Sequence, residues 1–429
     1  MLWQLIKTYS IMSSAQSSYI DIMITGYDEK EGFVMKIKLN KIAAGFIPVF
    51  LIVLLLVSIV TTYSAEMYVI GSTAGSKSED TNSNNNTTQP GGDVRVVGPN
   101  NTGSNRATGG LNSVSGSFIN PLTGVATMTD ISLNRPLAVS ISNQRGALPT
   151  NATNGISQAD IIHEVLVEGG ITRFIALYQD ISNVGEIGSI RSARHYTVEL
   201  AEAYDAIFIH AGGSPLGYEE IEKRGITNLD EVSGLRAHAF RRDVNRVPGH
   251  TVLQYHSCVI SGASLTQWLP RYDIRRTHDF GFRQRLSFTD DPISMGQRAT
   301  EVGIEFSAAK DSIFIYEDTQ NIYYMAQFDS FFTDANNGAP VTFSNLLILE
   351  MPITDLVGHG EGAGRQDMST VGRGTGYFMS AGRGVRINWQ RLDKSSQFVY
   401  TYENGQEIEL GRGKTYIGIV PDIMNVFIG

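Results

Sequence analysis

Arg191 and Arg194, three positions apart, carry the clearest chemistry in the sequence. A guanidinium presents a planar fork of N–H donors that fits a phosphate, a carboxylate or an acidic sugar. Asp160, Glu164, Glu168, Arg173, His210 and Ser214 surround them along the chain. Histidine is the side chain suited to proton exchange near neutral pH, so in a hydrolytic or transfer reaction His210 would move protons. Glu164 or Glu168 would then orient it or act as the second acid–base group. Asp160, Arg173, Arg191, Arg194 and Ser214 form the expected ligand-binding set. Each has a structural alternative, because carboxylates and arginines inside β-compatible runs also pair across a sheet. Ser214 followed by Pro215 has the chemistry of a helix N-cap. No spacing requires these groups to meet.

Other chemistries have weaker signals. His210, His250 and His256 do not follow an established ligand pattern such as His-Glu-x-x-His, so neither metal nor cofactor is expected. Gly213-Ser214-Pro215 is not the Gly-x-Ser-x-Gly elbow of a serine hydrolase. Cys258 reads as a small buried hydrophobe. Gly372-Arg-Gly-Thr-Gly376 lacks Walker spacing and is expected to be a glycine-rich β turn.

The elements that must position the polar groups alternate in type. Leu137–Ile141, Ile161–Val167, Ile171–Tyr178 and Ala206–Ile209 are β-compatible. Ser192–Ala203 places Ala193, Tyr196, Leu200 and Ala203 at helical intervals. A second helix is expected from Ser214-Pro215 to about Lys223. This order predicts an α/β layer with some parallel pairing. It puts Arg191–Arg194 at one helix start and His210–Ser214 between a strand and the next helix. Both would border a crevice beyond the carboxyl ends of strands, where free helix N–H groups favour anions. Beyond a polar stretch at 271–300, short strands at Ile313–Tyr316, Ile322–Phe328, Leu346–Leu349 and Phe398–Tyr402 predict a mostly β domain. Asn404-Gly405 is a hairpin turn signal.

Several long runs occur together in order. They are Asn120-Pro-Leu-Thr-Gly124, Arg135-Pro-Leu-Ala-Val139, Ala159–Arg173, Ile187-Gly-Ser-Ile-Arg-Ser-Ala-Arg194 and His210-Ala-Gly-Gly-Ser214. The chain from 118 to 429 thereby resembles the YerB-like lipoproteins of Gram-positive bacteria, a two-domain family of unknown function. The resemblance implies an anchored extracytoplasmic protein and no reaction type. Two departures stand out. The lipid-bearing cysteine is absent, and Pro248-Gly-His250-Thr replaces the Pro-His-Asn run that the family tends to have.

Composition bounds the rest. With 429 residues, 42% of them hydrophobic, the chain can bury more than one core, and its net charge of -9 excludes general attraction to nucleic acid or an anionic surface. Any anion site must be local. One cysteine cannot form an intramolecular disulfide. From Ile42 to Ala65 the chain carries no charge, and Lys36, Lys38 and Lys41 precede it. That run matches the roughly 20 apolar residues of a membrane helix, with the lysines held inside. An uncleaved anchor is favoured over a cleaved signal peptide, and Met35 is a natural start for it.

The expected organisation is an extension at 1–34, an anchor at 35–66 and a disordered linker at 67–117. An α/β domain at 118–270, a boundary at 271–300 and a mostly β domain at 301–429 complete it. The fold class is therefore α+β or α/β after one transmembrane helix. The leading functional expectation is a single-pass membrane protein whose extracytoplasmic body binds an anionic cell-wall polymer or an envelope protein. The alternative is a hydrolase or transferase acting on cell-wall glycan or its phosphate-bearing polymers.

Overall fold

The computed structural model describes residues 7–12, 19–24 and 118–429, apart from 294 and 357–363. Residues 1–105 and 106–429 form two compact units. In the first, Lys7–Met12 and Tyr19–Ile24 pair as antiparallel strands. The expected membrane segment at 42–65 and the linker at 67–117 lie outside the described residues. Among the described residues no helix is long and apolar enough to cross a membrane.

The second unit is mostly β with a few short helices. Its first half supplies strands β1 (Leu137–Asn143), β2 (Ile161–Leu166), β3 (Thr172–Tyr178), β4 (Ile207–His210) and β5 (Asn228–Asp230). Its second half supplies β6 (Glu301–Ser307), β7 (Lys310–Glu317), β8 (Ile322–Gln327), β9 (Asn345–Glu350), β10 (Gly372–Ser380), β11 (Arg383–Arg391), β12 (Thr415–Val420) and β13 (Val426–Ile428). Both halves share one eleven-stranded sheet, running β5-β4-β1-β3-β2-β12-β9-β10-β11, with two further short strands, Gln297–Arg298 and Val399–Tyr402, both paired to β11. The halves join where β2 lies parallel to β12, with Ile161 opposite Thr415.

The α/β layer read from the sequence is met in part. β4 runs parallel to β1 and β5, but β3 runs antiparallel between β1 and β2. The physical reason lies in residues 167–171. A parallel connection needs a crossover of a dozen or more residues, whereas this link reverses through Gly169 and Gly170, both at positive φ. Helices α1 (His195–Glu202), α2 (Pro215–Lys223) and α3 (Gly262–Trp268) are correspondingly short.

β1, β2, β3 and β12 are buried along their whole length, because the sheet is covered on both faces. One face carries Ile141, Ile162, Phe174 and Tyr416 against a six-stranded sheet that includes β6, β7, β8 and β13. The other carries Ala138, Ile161, Ile175 and Ile417 against α1. Gly372–Gly376 is not the expected turn but the start of β10. Gly374 accommodates the Trp389 ring, and Gly376 lies against the Ile348 carbonyl, so these glycines permit close strand packing. The turn at Asn404-Gly405 does form, with Gly405 N–H donating to the Tyr402 carbonyl at 2.9 Å.

Candidate functional site

Three of the predicted residues converge just past the carboxyl end of β2. Arg194 donates from Nε to Glu168 Oε2 at 3.1 Å and from Nη2 to Oε1. Arg173 Nη2 stands 3.5 Å from the same Oε1. Burial alone would raise the Glu168 carboxyl. The Arg194 hydrogen bonds and the charges of Arg173 and Arg194 outweigh it and hold the group at about 2. Burial, and next the neighbouring Arg194, lower the Arg173 guanidinium to about 9, still charged at neutral pH. Arg173 also donates to the Ser192 carbonyl at 2.5 Å, tying β3 to the segment before α1.

Arg191 behaves differently from Arg194. The sequence placed both on one helix start, but α1 begins only at His195, and Arg194 is its N-cap with extended backbone, φ -127° and ψ 150°. Side chains three apart on extended backbone face opposite ways, so the two arginines do not grip one anion as a pair. Arg191 turns toward Tyr255, donating from Nη1 to its carbonyl at 2.7 Å with the guanidinium 5.7 Å from the ring centre. Its Nε and Nη2 donors meet no acceptor among the described residues. Beside it lies His256, fully buried, with neither ring nitrogen hydrogen-bonded. Burial, then the charges of Arg191 and Arg246, lower that imidazole to about 4, so it is neutral at pH 7.

The two loops expected to flank a crevice are instead laced together. Ala193 N–H donates to the Gly212 carbonyl at 2.8 Å, Ser214 N–H to Ala193 at 3.1 Å and Ala211 N–H to Arg191 at 3.1 Å. Ser214 is the N-cap of α2, its hydroxyl accepting from Gly217 N–H at 3.1 Å. It is 1% exposed, so its place in the ligand set gives way to its role as a cap. His210 is fully buried too, with Nδ1 2.8 Å from the Gly212 carbonyl and Nε2 3.3 Å from Asn228 Oδ1. Asp230 stands 3.7 Å from Nδ1 and accepts from Gly212 N–H and the Tyr218 hydroxyl, each at 2.8 Å.

Glu164 does not partner His210, because the two side chains leave the main sheet on opposite faces. His210 shares the helical face with Phe208. Glu164 follows Ile162 toward the six-stranded sheet. There it accepts from Asn143 at 2.8 Å, Thr172 at 2.6 Å, Ser312 at 2.9 Å and Tyr416 at 2.7 Å, and pairs with buried Lys310 at 3.0 Å. A carboxylate so fully occupied has no lone pair left for proton transfer; it joins β1, β2, β3, β7 and β12. Asp160 sits at the opposite end of β2 from Glu168, with the six residues of the strand, roughly 20 Å long at the usual rise, between them. It accepts from Asn120 at 3.0 Å and Gln179 N–H at 2.7 Å, and burial raises its carboxyl to about 6.

Lys310, Tyr416 and Asp230 escaped the sequence reading, and His256 entered it only as one of three histidines without a metal-ligand pattern. Lys310 and Tyr416 meet Glu164 from far along the chain, 252 residues away for Tyr416, and Asp230 meets the Tyr218 hydroxyl from the far side of a helix, so no local spacing marks them. Among the described residues, no group of three or more His, Cys, Asp or Glu is placed to hold a metal ion.

Residues 122–266 match the family described as "Protein of unknown function (DUF3048) N-terminal domain", and residues 302–417 match its C-terminal domain. The chain is 26% identical over 312 residues to a Bacillus subtilis (strain 168) protein named "Putative lipoprotein YerB", an alignment covering 71% of this chain and 86% of that one. It is also similar to the crystal structure of YerB protein from Bacillus subtilis, with a TM-score of 0.61 and 25% identity, over 72% of this chain and 99% of that one.

Proposed function

This chain belongs to the YerB-like family of paired domains, and from that premise we propose that its body is an extracytoplasmic binding module for an anionic cell-wall component. The observation that carries the reading is the arginine excess at the carboxyl edge of the main sheet. Three guanidiniums, Arg173, Arg191 and Arg194, surround one carboxylate, Glu168. Glu168 engages Arg173 and Arg194, while Arg191 retains unpaired donors on a half-buried side chain. A phosphate or carboxylate presented there would gain charge-assisted hydrogen bonds in partly desolvated surroundings. The enclosed state of His210 and Glu164 favours binding over hydrolysis or group transfer. The uncharged run Ile42–Ala65, preceded by lysines, supports a single-pass anchor with the body outside.

The test is titration of the full chain in detergent with purified wall fragments, before and after chemical removal of their phosphate groups. Arg191→Gln should weaken binding of the phosphate-bearing fragments about tenfold, the loss of one to two charge-assisted hydrogen bonds, with little change in Tm. Equal affinity of wild type and Arg191→Gln would sink the site. Fragment turnover lost in His210→Ala would replace the binding reading by an enzymatic one.

A further inference from the structure

The six-stranded sheet has two unlike faces. Strand alternation sends Val302, Ile304, Phe314, Tyr323 and Met325 inward against the main sheet, and the residues between them point outward. There one row crosses five strands. Phe427 of β13 lies opposite Gly303 of β6, Gly303 opposite Ile313 of β7, Ile313 opposite Ala326 of β8, and Ala326 opposite Phe331 of the short strand Ser330–Phe331. Ile315 and Tyr324 pair beside this row, with the Tyr324 and Phe331 rings 6.0 Å apart. Ile315 is 37% exposed, Phe331 55% and Phe427 59%. An open face of an antiparallel sheet ordinarily alternates to polar side chains; a contiguous apolar row there marks a contact surface. At Gly303 no side chain fills the row, and a groove of about 810 Å³ opens between Phe427 and Ile313, with exposed Met424 on its wall.

The charges at outward positions have one sign. Those of β6 and β7 hold Glu301, Glu305, Asp311 and Glu317, and those of β8, β13 and the short strands Ser330–Phe331 and Thr342–Phe343 hold no charged residue. Two cations line the groove and both are committed. Arg145 pairs with Asp329 at 3.5 Å, and buried Lys310 pairs with Glu164 at 3.0 Å, its charge reaching Asp311 only as a weaker effect. Glu317 accepts from the Thr319 and Gln320 N–H groups of its own turn. Glu301, Glu305 and Asp311 are exposed and make no ion pair among the described residues. Glu305 and Asp311 stand directly opposite each other, a pairing of like charges that costs stability unless a cation comes between them.

Charge therefore selects the occupant. A second copy docked face to face would set carboxylates against carboxylates, and an anionic bilayer or a nucleic acid would meet the same repulsion. A polypeptide that offers apolar side chains flanked by lysine or arginine satisfies both parts of the surface. The alkyl stem of a lysine would lie in the groove over Gly303, between Phe427 and Ile313, with its ammonium at Glu305 and Asp311. We propose that this outward face docks a basic, amphipathic segment of another protein. The proposal goes beyond the anion-binding role and uses no residue of the arginine cluster, so either can fail alone.

The full chain, held in phosphatidylcholine nanodiscs, is titrated with a short fluorescent peptide whose leucines form one face and whose lysines flank it. A photoreactive group at the peptide's centre marks where it lands. The expected result is saturable, salt-sensitive binding with attachment to β6, β7 or residues 424–428, and no binding when glutamate replaces the lysines. Glu305→Gln/Asp311→Asn and Phe427→Ser should each weaken binding about tenfold. All three positions are exposed, so Tm should hold. Equal binding of both peptides, unchanged affinity in the variants, or attachment elsewhere on the body overturns the proposal. Dimerisation abolished by Phe427→Ser would give the face to a second copy, and burial of a label at Phe331→Cys by empty phosphatidylcholine vesicles would give it to a neutral bilayer; either result also overturns it.

Discussion

Glu164 shows how a carboxylate at the heart of a protein can be committed wholly to structure. It accepts four hydrogen bonds and pairs with Lys310, both side chains being at most 1% exposed. Burial lowers the Lys310 ammonium below its ordinary value, and the adjacent carboxylate offsets part of that shift. Removing one partner strands the other charge, so Glu164→Ala should cost about 3–5 kcal/mol in denaturant unfolding. A Glu164→Leu/Lys310→Met double variant should recover much of that loss. The carboxylates at the two ends of β2 have opposite pH signatures. Glu168 has a folded pKa near 2, below its ordinary 4.5, so its stabilisation is present above pH 4.5 and lost as pH falls toward 2. Asp160 is raised from 3.8 to about 6, so its contribution is greatest below pH 3.8 and declines as pH rises through 6. Stability measured across this range should lose its low-pH slope in Glu168→Gln and its slope between pH 4 and 6 in Asp160→Asn. The identities of these residues were legible in the sequence. Their roles were not, because the groups that decide them come from other elements: Ser312 and Tyr416 reach Glu164 from 148 and 252 positions away, and Arg194 reaches Glu168 from 26.

At the scale of elements, local chemistry was the readable part. Alternation and β-branched content located β1 to β4 within a residue or two, and Ser214-Pro215 located the start of α2. Ser214→Ala should cost about 1 kcal/mol, the usual value of a cap, in thermal or denaturant melts. What local pattern missed was pairing direction. The glycines at 169 and 170 turn β3 back against β2, and the glycines of 372–376 serve strand contact rather than a turn. A methyl group at Gly376 would strike the Ile348 carbonyl, so Gly376→Ala should destabilise by about 1–3 kcal/mol. A melt unchanged in this variant would show that β9 and β10 can separate to admit it. The crevice expected between Arg191–Arg194 and His210–Ser214 closed for a related reason. Nothing in either sequence run announced that their backbones would bond to each other.

At the scale of the whole body, residues 106–429 are organised around one sheet that two family domains share. Because β12 lies between β2 and β9, the first domain has no finished edge without the end of the second. Unfolding of residues 106–429 should therefore appear as a single transition by both near-ultraviolet and far-ultraviolet circular dichroism. Two separated transitions would show that the domains are thermodynamically independent. The β2–β12 junction also sets the order of events during synthesis. The strand that completes the centre of the sheet follows β2 by more than half of the body, so β2 must wait with its hydrogen-bonding edge unoccupied until β12 has been made. Such contacts of long sequence separation fold slowly and leave edges open to mispairing. Completion of the main sheet is thus deferred until β12 is available to fill that edge.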